Sequence, residues 1–418
     1  MKVAIVGAGF AGVATAYELA SQHHEVTVFE RRGSVAAEGS FAQTGLLAAC
    51  APLPWGVPGL QRQRLAHWVR PDGSIRASLT GVLAHAPRLW QLWRAGKLTP
   101  GTPRWSALQA LAHASRQRVG ELTLQLNLAY EQQSGGLVLL AEERQVAQVR
   151  AALAETSGLA QGLKLLDAEA ARALEPALAG DWPLRGAVQL PSGMVGNGRQ
   201  LAHLLKTHAQ KLGARFLFDT EITALRGGSS PSLVPTAGQA QPFDAIVVCA
   251  GMGSRDLLAT ARLRLPLLTT WGHTLTAPLS HLDGHAPVGP RAAVVDASSG
   301  IVITRLGQRV RATGVTQLGG STQDLPQAVL QQLYGALERA FPGCAVTREA
   351  HHWKGPRVRA PDGLPVVGPC SVPGLWLNLG HGPFGWALAC GAAQLLARQL
   401  VSHALPFDAG PLAAKRLG

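Results

Sequence analysis

Three glycines near the start of the chain have the spacing of a backbone cradle for phosphate groups. Gly7, Gly9 and Gly12 form the pattern G-x-G-x-x-G, after an apolar strand over 2–6 and before a helical pattern over 10–21. The first glycine allows a tight turn, the second lets backbone approach a pyrophosphate, and the third lets helix and strand pack closely. The start of the helix then offers N–H groups and a positive dipole end to the phosphates. The pattern predicts a dinucleotide site.

An acidic residue ends the second strand of the same βαβ unit. The stretch "EVTVFE" is predicted to be a strand that ends at Glu30, where a carboxylate accepts hydrogen bonds from the diol of a ribose. A free 2′-hydroxyl is thereby favoured, as in NAD or in the ADP half of FAD, and NADP is disfavoured. Arg31 and Arg32 follow the acid without replacing it. These residues leave NAD and FAD open as cofactors.

A second glycine cluster lies near the other end of the chain, in "NLGHGPFGWALACG" over 378–391. The pattern predicts a parallel strand over 375–379, a turn over 380–385 and a helix from Trp386 onward. The three glycines of the turn allow backbone N–H groups to face a flat ring at close range. Pro383 removes one such N–H but suits the start of a helix. The cluster is either a surface turn or a second cradle.

The elements that must position these clusters fall into two groups. Apolar runs at 214–225 and 243–251 are predicted to be further strands of the N-terminal sheet. The tract over 227–242 is expected to be a polar loop or hairpin, and a helical stretch covers 323–340. Alternating residues and Gly-rich turns predict a second, mostly antiparallel sheet, made of "GGLVLL", "GAVQL", "TLTA", "AAVVD", "IVITRL" and "QRVRATGVTQLG".

The fold class that follows is α/β, with a discontinuous Rossmann-like nucleotide-binding domain and an inserted α+β domain built on a mixed, mainly antiparallel sheet. The predicted nucleotide-binding domain comprises 1–50, 195–265 and 355–418, and the inserted domain comprises 51–194 and 266–354.

The charge of the chain is uneven. The net charge is +13, and residues 51–120 hold ten Arg or Lys residues and five Trp residues against a single acid, Asp72. Two interpretations of this segment stay open. It is either a peripheral contact with an anionic membrane, since indole and guanidinium suit the headgroup region, or a set of helices with Trp inward and Arg in solvent. No nucleic-acid-binding motif accompanies the charge, so nucleic acid is not expected as a partner.

The cysteines and the apolar runs bear on location. Five scattered cysteines without a C-x-x-C pair favour a reduced, cytoplasmic setting and signal no metal site. No run reaches the ~18 apolar residues of a membrane span. We therefore expect a cytoplasmic protein, with a peripheral place on the inner membrane as the alternative.

Only one complete G-x-G-x-x-G βαβ unit is present. The stretch "GMGSRD" at 251–256 lacks the third glycine and a matching later acid. An enzyme that uses both FAD and NADPH should show two such units. If FAD occupies the first, the electrons come from the substrate itself.

The chain resembles the D-amino acid oxidase superfamily, and within it the FAD-containing catalytic subunits of bacterial D-amino acid dehydrogenases. The motifs that carry the resemblance occur in the family's order along nearly the whole chain: "VAIVGAGFAG", "VTVFER", "GSFAQTGLL", "RPDGSI", "TRLGQRVRATG", "GPRVRAPDGLPVVG" and "LNLGHGPFGWALACG". The resemblance implies a Rossmann-like FAD domain, a mixed-sheet substrate domain and non-covalent FAD.

The resemblance also implies which residues hold the cofactor. They comprise the first glycine cluster and its acid, a loop beneath the flavin, a residue near adenine, a turn beside the pyrophosphate, and the second glycine cluster as the flavin end: Gly7, Gly9, Phe10, Ala11, Gly12, Glu30, Arg31, Ser40, Phe41, Ala42, Gln43, Gly45, Leu46, Ile222, Ala250, Gly251, Gly380, His381, Gly382, Pro383, Phe384 and Gly385. In that loop the chain has Gln-Thr-Gly where the family often has Asn-Ala-Gly.

Three residues are candidates for the reaction itself. Arg357 matches the arginine that pairs with the substrate carboxylate, and a planar, permanently charged guanidinium suits that role. Arg359 lies close by and competes for the assignment. His273 stands where the family commonly has a pocket tyrosine, and His381 lies in the second glycine cluster. Both histidines are included as candidates.

The activity implied by the resemblance is oxidative deamination. A D-amino acid would lose a hydride to FAD, water would release the 2-oxo acid and ammonia, and the electrons would pass to a quinone-type acceptor. Two alternatives stay open: a related amine oxidase or dehydrogenase acting on glycine, sarcosine or a D-proline derivative, and a flavin-binding electron-transfer subunit without catalysis.

Overall fold

A computed structural model describes residues 1–48, 101–155, 162–280, 289–319 and 325–417, together with Leu60, 75–77, 86–87 and Trp90. Elements are numbered in chain order. The helices of these residues are α1 (Phe10–Ser21), α2 (Pro103–Gln125), α3 (Glu143–Glu155), α4 (Ala168–Leu174), α5 (Gly198–Lys211), α6 (Ser254–Thr260), α7 (Gln327–Ala340) and α8 (Gly385–Leu400).

One sheet has six described strands and carries both glycine clusters. Their spatial order is β10 (Arg215–Leu217), β2 (Glu25–Phe29), β1 (Lys2–Val6), β14 (Ala245–Val248), β21 (Leu375–Leu379) and β20 (Val366–Pro369). All neighbours run parallel except β20 and β21. Strand β1 shows why both faces are covered: Val3 and Ile5 pack among helices α1, α5 and α8, and Ala4 and Val6 pack on the opposite side. Strands that are buried on both faces are apolar throughout, as β14 is and as β1 is after Lys2.

A second sheet has nine described strands. Their order is β19 (His351–Arg359), β15 (Leu268–Pro278), β18 (Arg309–Leu318), β17 (Val302–Leu306), β16 (Ala293–Asp296), β6 (Leu137–Leu140), β8 (Gly186–Gln189) and β7 (Lys164–Leu166), with β4 (Ile75–Ala77) beside β18. Pairing is antiparallel except for β6 with β16 and β4 with β18. All six blocks predicted as strands of this sheet lie in it.

Two small sheets complete the described fold. They comprise β11 (Ile222–Arg226), β12 (Ser232–Pro235) and β13 (Gln241–Pro242) in one, and β3 (Leu46–Leu47), β9 (Met194–Val195) and β5 (Gln133–Ser134) in the other. The run 214–225 is therefore not a single strand of the N-terminal sheet. Its first half is β10, and its second half turns away after Asp219, at φ 52°, to begin the antiparallel hairpin.

Helix α2 packs on the N-terminal sheet's helices. Leu108, Leu111 and Leu122 share an apolar core with α1 and α8, although the predicted division assigned 51–194 to the inserted domain. The domain boundaries stay a prediction. The membrane hypothesis concerned 51–120, most of which lies outside the described residues. None of the described helices is long and apolar enough to cross a bilayer.

Candidate functional site

The first glycine cluster brings the turn after β1 into close contact with the first turn of α1. A Cβ on Gly12 would lie 1.9 Å from the carbonyl oxygen of Gly7, and Gly7 itself has φ +102°. Any side chain at position 12 would therefore push helix and turn apart. The Glu30 carboxylate accepts hydrogen bonds from the backbone N–H of Ala8 (2.6 Å) and of Arg32 (2.8 Å). This arrangement fixes the acid beside the phosphate-binding turn.

The second cluster forms the turn that was predicted. After β21, Gly380 and Gly382 adopt φ +79° and +58°, a one-turn 3₁₀ helix spans Gly382–Phe384, and α8 begins at Gly385. His381 is buried in this turn, and burial lowers the pKa of its imidazole to about 4. The histidine is therefore neutral at pH 7.

One cavity of about 580 Å³ joins the two glycine clusters. Its wall includes many of the predicted cofactor residues: Gly7, Gly9, Phe10, Ala11, Glu30, Arg31, Ser40, Gln43, Ile222, Ala250, Gly251, Gly380, His381, Gly382 and Gly385. Cys249, Asn378 and Pro356 also line it and were not predicted. Three buried polar atoms at this wall have no hydrogen-bond partner among the described residues: Gln43 Oε1, Asn378 Oδ1 and His381 Nε2.

Other predicted cofactor residues lie next to the cavity wall instead of in it. Gly12 supports the turn from behind, and Ala42, Gly45 and Leu46 belong to the loop and strand that follow Ser40. Pro383 and Phe384 form the 3₁₀ turn. Phe41 stacks on Trp353 of the nine-stranded sheet, with ring centroids 6.0 Å apart. Arg31, which does line the cavity, pairs with Glu38 at 2.7 Å.

The loop over 39–44, which we call the clamped loop, connects the cavity to the nine-stranded sheet. At its start Ser40 Oγ accepts a hydrogen bond from the Phe10 N–H at 3.0 Å. Its carbonyl groups accept hydrogen bonds from side chains of the sheet: Gly39 from Arg357 Nη1, Ala42 from Thr274 Oγ1 (2.9 Å), Gln43 from Arg311 Nη1 (2.9 Å) and Thr44 from Thr304 Oγ1 (2.9 Å). The sheet therefore sets the position of the loop that lines the cavity.

Two arginines of this clamp are buried. Arg357 and Arg311 are each less than a tenth exposed, and burial lowers the pKa of each guanidinium to about 10. Neither forms an ion pair with a carboxylate among the residues that the structure describes. Arg311 donates further to Thr276 Oγ1 at 3.0 Å. Buried cations without a carboxylate partner are costly, so the geometry suits an anionic ligand beside them.

Arg311 was missed from the sequence, although it lies in a quoted motif. The signal was a charged residue between the apolar Val310 and Ala312 in a strand of the sheet interior. Val310 and Ala312 pack in the apolar core beneath α7. Because side chains alternate along a strand, Arg311 lies on the opposite face of the sheet. Trp353, which lies beside Arg357, was missed as well.

His273 is not brought together with Arg357. In the register of β15 with β19, Thr270 pairs with Arg357 and His273 with Lys354, so the two side chains leave opposite faces of the sheet. The imidazole is buried and hydrogen-bonded through Nε2 to Gln317 Oε1 at 3.0 Å. Burial lowers its pKa to about 4. A role for His273 at the substrate stays a prediction.

Known proteins resemble this chain over its whole length. The sequence profile of the family described as FAD dependent oxidoreductase matches residues 2–399. D-amino acid dehydrogenases of Sinorhizobium medicae and Bradyrhizobium diazoefficiens are 33% and 32% identical to the chain, each aligned over 100% of this chain and at least 99% of the relative. The crystal structure of glycine oxidase from Geobacillus kaustophilus has a TM-score of 0.78 at 22% identity, covering 99% of this chain and 98% of that one. That likeness confirms the predicted fold class.

The residues of the cavity fit the cofactor that the profile implies. The closely packed glycines at one end admit a pyrophosphate against bare backbone, and Glu30, the acid predicted to bind the ribose, lies on the same wall. At the other end, the unpartnered atoms of Gln43, Asn378 and His381 offer polar groups to a heterocyclic ring. A cavity that spans both clusters accommodates a dinucleotide with a ring at each end.

Proposed function

This chain belongs to the family of FAD dependent oxidoreductases, and from that membership we propose that it oxidises D-amino acids to 2-oxo acids and ammonia. The relatives that are named D-amino acid dehydrogenases match it over its full length. The observation that carries the proposal is the guanidinium of Arg357, which is buried beside the cavity without a carboxylate partner among the described residues. Every free α-amino acid offers the carboxylate that such a group binds.

FAD, when bound, accepts the hydride that the substrate loses from its Cα. We assign the ADP half to the first glycine cluster and Glu30, and the flavin half to the clamped loop and the second glycine cluster around His381. Buried Asn378 adds an amide oxygen on the cavity wall. Since His381 is neutral, it can serve as a hydrogen-bond donor or acceptor to the ring without adding charge.

The residues of the chain orient the substrate. One Nη group of Arg357 donates to the Gly39 carbonyl, and the other N–H groups of its fork are left to bind the carboxylate. With the carboxylate held, the position of the amino group and of Cα is restricted, which is how a binding site lowers the entropic part of a barrier. The imino acid that forms is then hydrolysed by water to the 2-oxo acid and ammonia.

Arg311 keeps the clamped loop in place and holds a second positive charge near Arg357. A lasting positive potential beside the cavity favours an anionic substrate group. Arg359 is buried in the same strand, but its side chain packs against Gly382 of the second glycine cluster, where a Cβ would lie 3.5 Å from its Nε. We therefore keep Arg357, and not Arg359, as the carboxylate-binding residue.

A quinone is the electron acceptor that we propose. The chain contains one complete G-x-G-x-x-G βαβ unit, to which we assign the ADP half of FAD, so a second dinucleotide has no matching βαβ unit. Within residues 51–120, the Arg- and Trp-containing stretch before helix α2 is the proposed contact with the membrane that holds the quinone, because in α2 itself Trp105 is buried and Arg118 pairs with Glu18. Co-sedimentation with anionic liposomes at low and high salt tests that contact, because an electrostatic contact weakens with salt.

The test of the activity is anaerobic reduction of the flavin. Addition of D-amino acids to the holoenzyme should bleach the flavin spectrum, whereas L-amino acids, glycine and sarcosine should not. R357K should raise the KM for the D-amino acid about 10- to 100-fold, because a bidentate charged contact is lost. R348K, on a side chain that is 84% exposed, is the control and should leave the KM unchanged. Bleaching by glycine or L-amino acids alone would contradict the proposal.

A further inference from the structure

Two glycines face each other across strands β15 and β19. Gly272 and Gly355 are register partners, and neither has room for a side chain. A Cβ on Gly355 would lie 1.6 Å from the indole of Trp353, and one on Gly272 would lie 2.9 Å from Nε of Arg357. The indole and the guanidinium therefore both lie flat over bare backbone. Glycine inside a strand commonly marks such a close approach.

The side chains above these glycines form a ladder in which two stacked aromatic rings lie between two cations. The guanidinium carbon of Arg357 lies 5.2 Å from the centroid of the Trp353 ring. Trp353 stacks on Phe41 with an interplanar angle of 24°, and the guanidinium of Arg199 lies over Phe41 at 4.2 Å. Phe41 belongs to the clamped loop, so the ladder runs from that loop to the arginine.

The ladder restricts Arg357 to one orientation. Its Nη1 donates a hydrogen bond to the carbonyl of Gly39 on one side, and the indole of Trp353 lies on another. A cation close to the face of an indole is attracted by the ring quadrupole, and the attraction grows when water is excluded. An arginine side chain has several rotatable bonds, so without the indole the fork would sample other directions. Binding would then require that freedom to be lost.

We infer that Trp353 is a positioning residue for Arg357, holding the guanidinium over the glycine pair in the orientation that receives the substrate carboxylate. The inference rests on the proposed function, since it takes Arg357 as the carboxylate-binding group. The inference also requires glycine at positions 272 and 355, because only glycine leaves room for the side chains of Arg357 and Trp353. Trp353 does not touch the reacting atoms and acts through the arginine alone.

The same pair of strands supplies a matched control. On the opposite face Trp271 makes the equivalent contact with a cation, with Nζ of Lys354 lying 5.3 Å from its ring. A general disturbance of β15 and β19 should follow substitution at either tryptophan. Loss of the support for Arg357 should follow substitution at Trp353 only.

The experiment measures the second-order rate constant of anaerobic flavin reduction by D-alanine in the holoenzyme. W353L should lower it about fivefold, the value of one cation–π contact, through a higher Kd for D-alanine and with the limiting rate of flavin reduction within twofold. W353F keeps a ring in place and should stay within twofold of the wild type. W271L, which removes the ring on the opposite face, should also stay within twofold. G355A, whose new Cβ displaces the indole, should reproduce the effect of W353L without altering the tryptophan. In an R357M background W353L should have less than a twofold effect.

Three results would overturn the inference: an unchanged rate constant in W353L and G355A, an equal loss in W271L, or a loss in W353L that persists in the R357M background. These results differ from a failure of the proposed function. That failure would appear in the wild type, as a flavin that D-alanine and the other D-amino acids do not reduce.

Discussion

A buried ion pair joins helices α1 and α2, and its removal tests how the two are held together. Arg118 Nε and Nη2 donate to the Glu18 carboxylate at 2.7 and 3.1 Å, and Nη1 reaches Glu121 at 3.0 Å. The Glu18 side chain is 4% exposed and that of Arg118 14%. R118M removes the cation and leaves the Glu18 carboxylate in an apolar core. Removing one partner of a buried pair costs about 3–5 kcal/mol.

The pH dependence of this loss has a definite sign. Burial raises the pKa of Glu18 above its ordinary value, although the Arg118 hydrogen bonds oppose the shift. In R118M that opposition is gone, so the pKa should rise further. A carboxyl with a raised folded-state pKa contributes its stability below the unfolded-state pKa and loses it as pH rises through the folded-state pKa. R118M should therefore be most destabilised at pH 8 and less at pH 5.5.

The assay is urea unfolding of the holoenzyme at both pH values, with FAD at one fixed concentration because a ligand adds to apparent stability. The double variant E18M/R118M is the control, since two apolar side chains of similar volume leave no charge unpaired and cost little. A loss below about 1 kcal/mol in R118M, or one of equal size at both pH values, would refute the reasoning.

Two further predictions follow from close contacts and from burial. G12A should yield protein with little bound flavin and a lowered thermal midpoint, because the new Cβ overlaps a backbone carbonyl. G335A is the control: Gly335 lies inside a helix, its new Cβ would meet no other atom, and the substitution should raise stability by about 0.5–1 kcal/mol. His273 and His381, whose pKa values burial lowers to about 4, should each contribute stability above pH 6.5 that falls by about 1.4 kcal/mol per pH unit towards pH 4. Denaturant midpoints measured between pH 6.5 and pH 4 check this pH dependence, and H273Q should make the midpoint fall less steeply with pH. An unchanged slope in H273Q would mean that His273 is protonated in the folded protein.

The parts of the site that the sequence predicted are those with local patterns. The turn after β1, the helix that follows and Glu30 lie within one βαβ unit, so spacing alone indicates their arrangement. The turn after β21 is equally local, and its helix begins at Gly385, one residue earlier than predicted. In both places the strand, the turn and the start of the helix are specified by residues that are neighbours in the chain. Local preferences there agree with the fold.

The parts that were not predicted depend on contacts between distant residues. Arg311 supports a carbonyl 268 positions away in the chain, and nothing near either residue indicates the partner. The side of the sheet on which His273 lies follows from the register of β15 with β19. A shift of register by one residue would exchange the two faces. Single-strand patterns indicate alternation and do not say which face meets the cofactor.

The pairs Gly7/Gly12 and Gly272/Gly355 both make room for a close contact with the backbone. Only the first pair can be recognised as a pair from the sequence. Gly7 and Gly12 bring backbone against backbone within one unit of chain, and the spacing of the motif makes them recognisable. Gly272 and Gly355 lie on separate strands beneath two side chains of β19, so they form a pair only through the sheet register. Each nevertheless interrupts a strand pattern, in "TWGH" and "WKGP". A glycine within a predicted strand is disfavoured by propensity, so its presence indicates that a bulky group lies over the backbone there, which is Arg357 over Gly272 and Trp353 over Gly355.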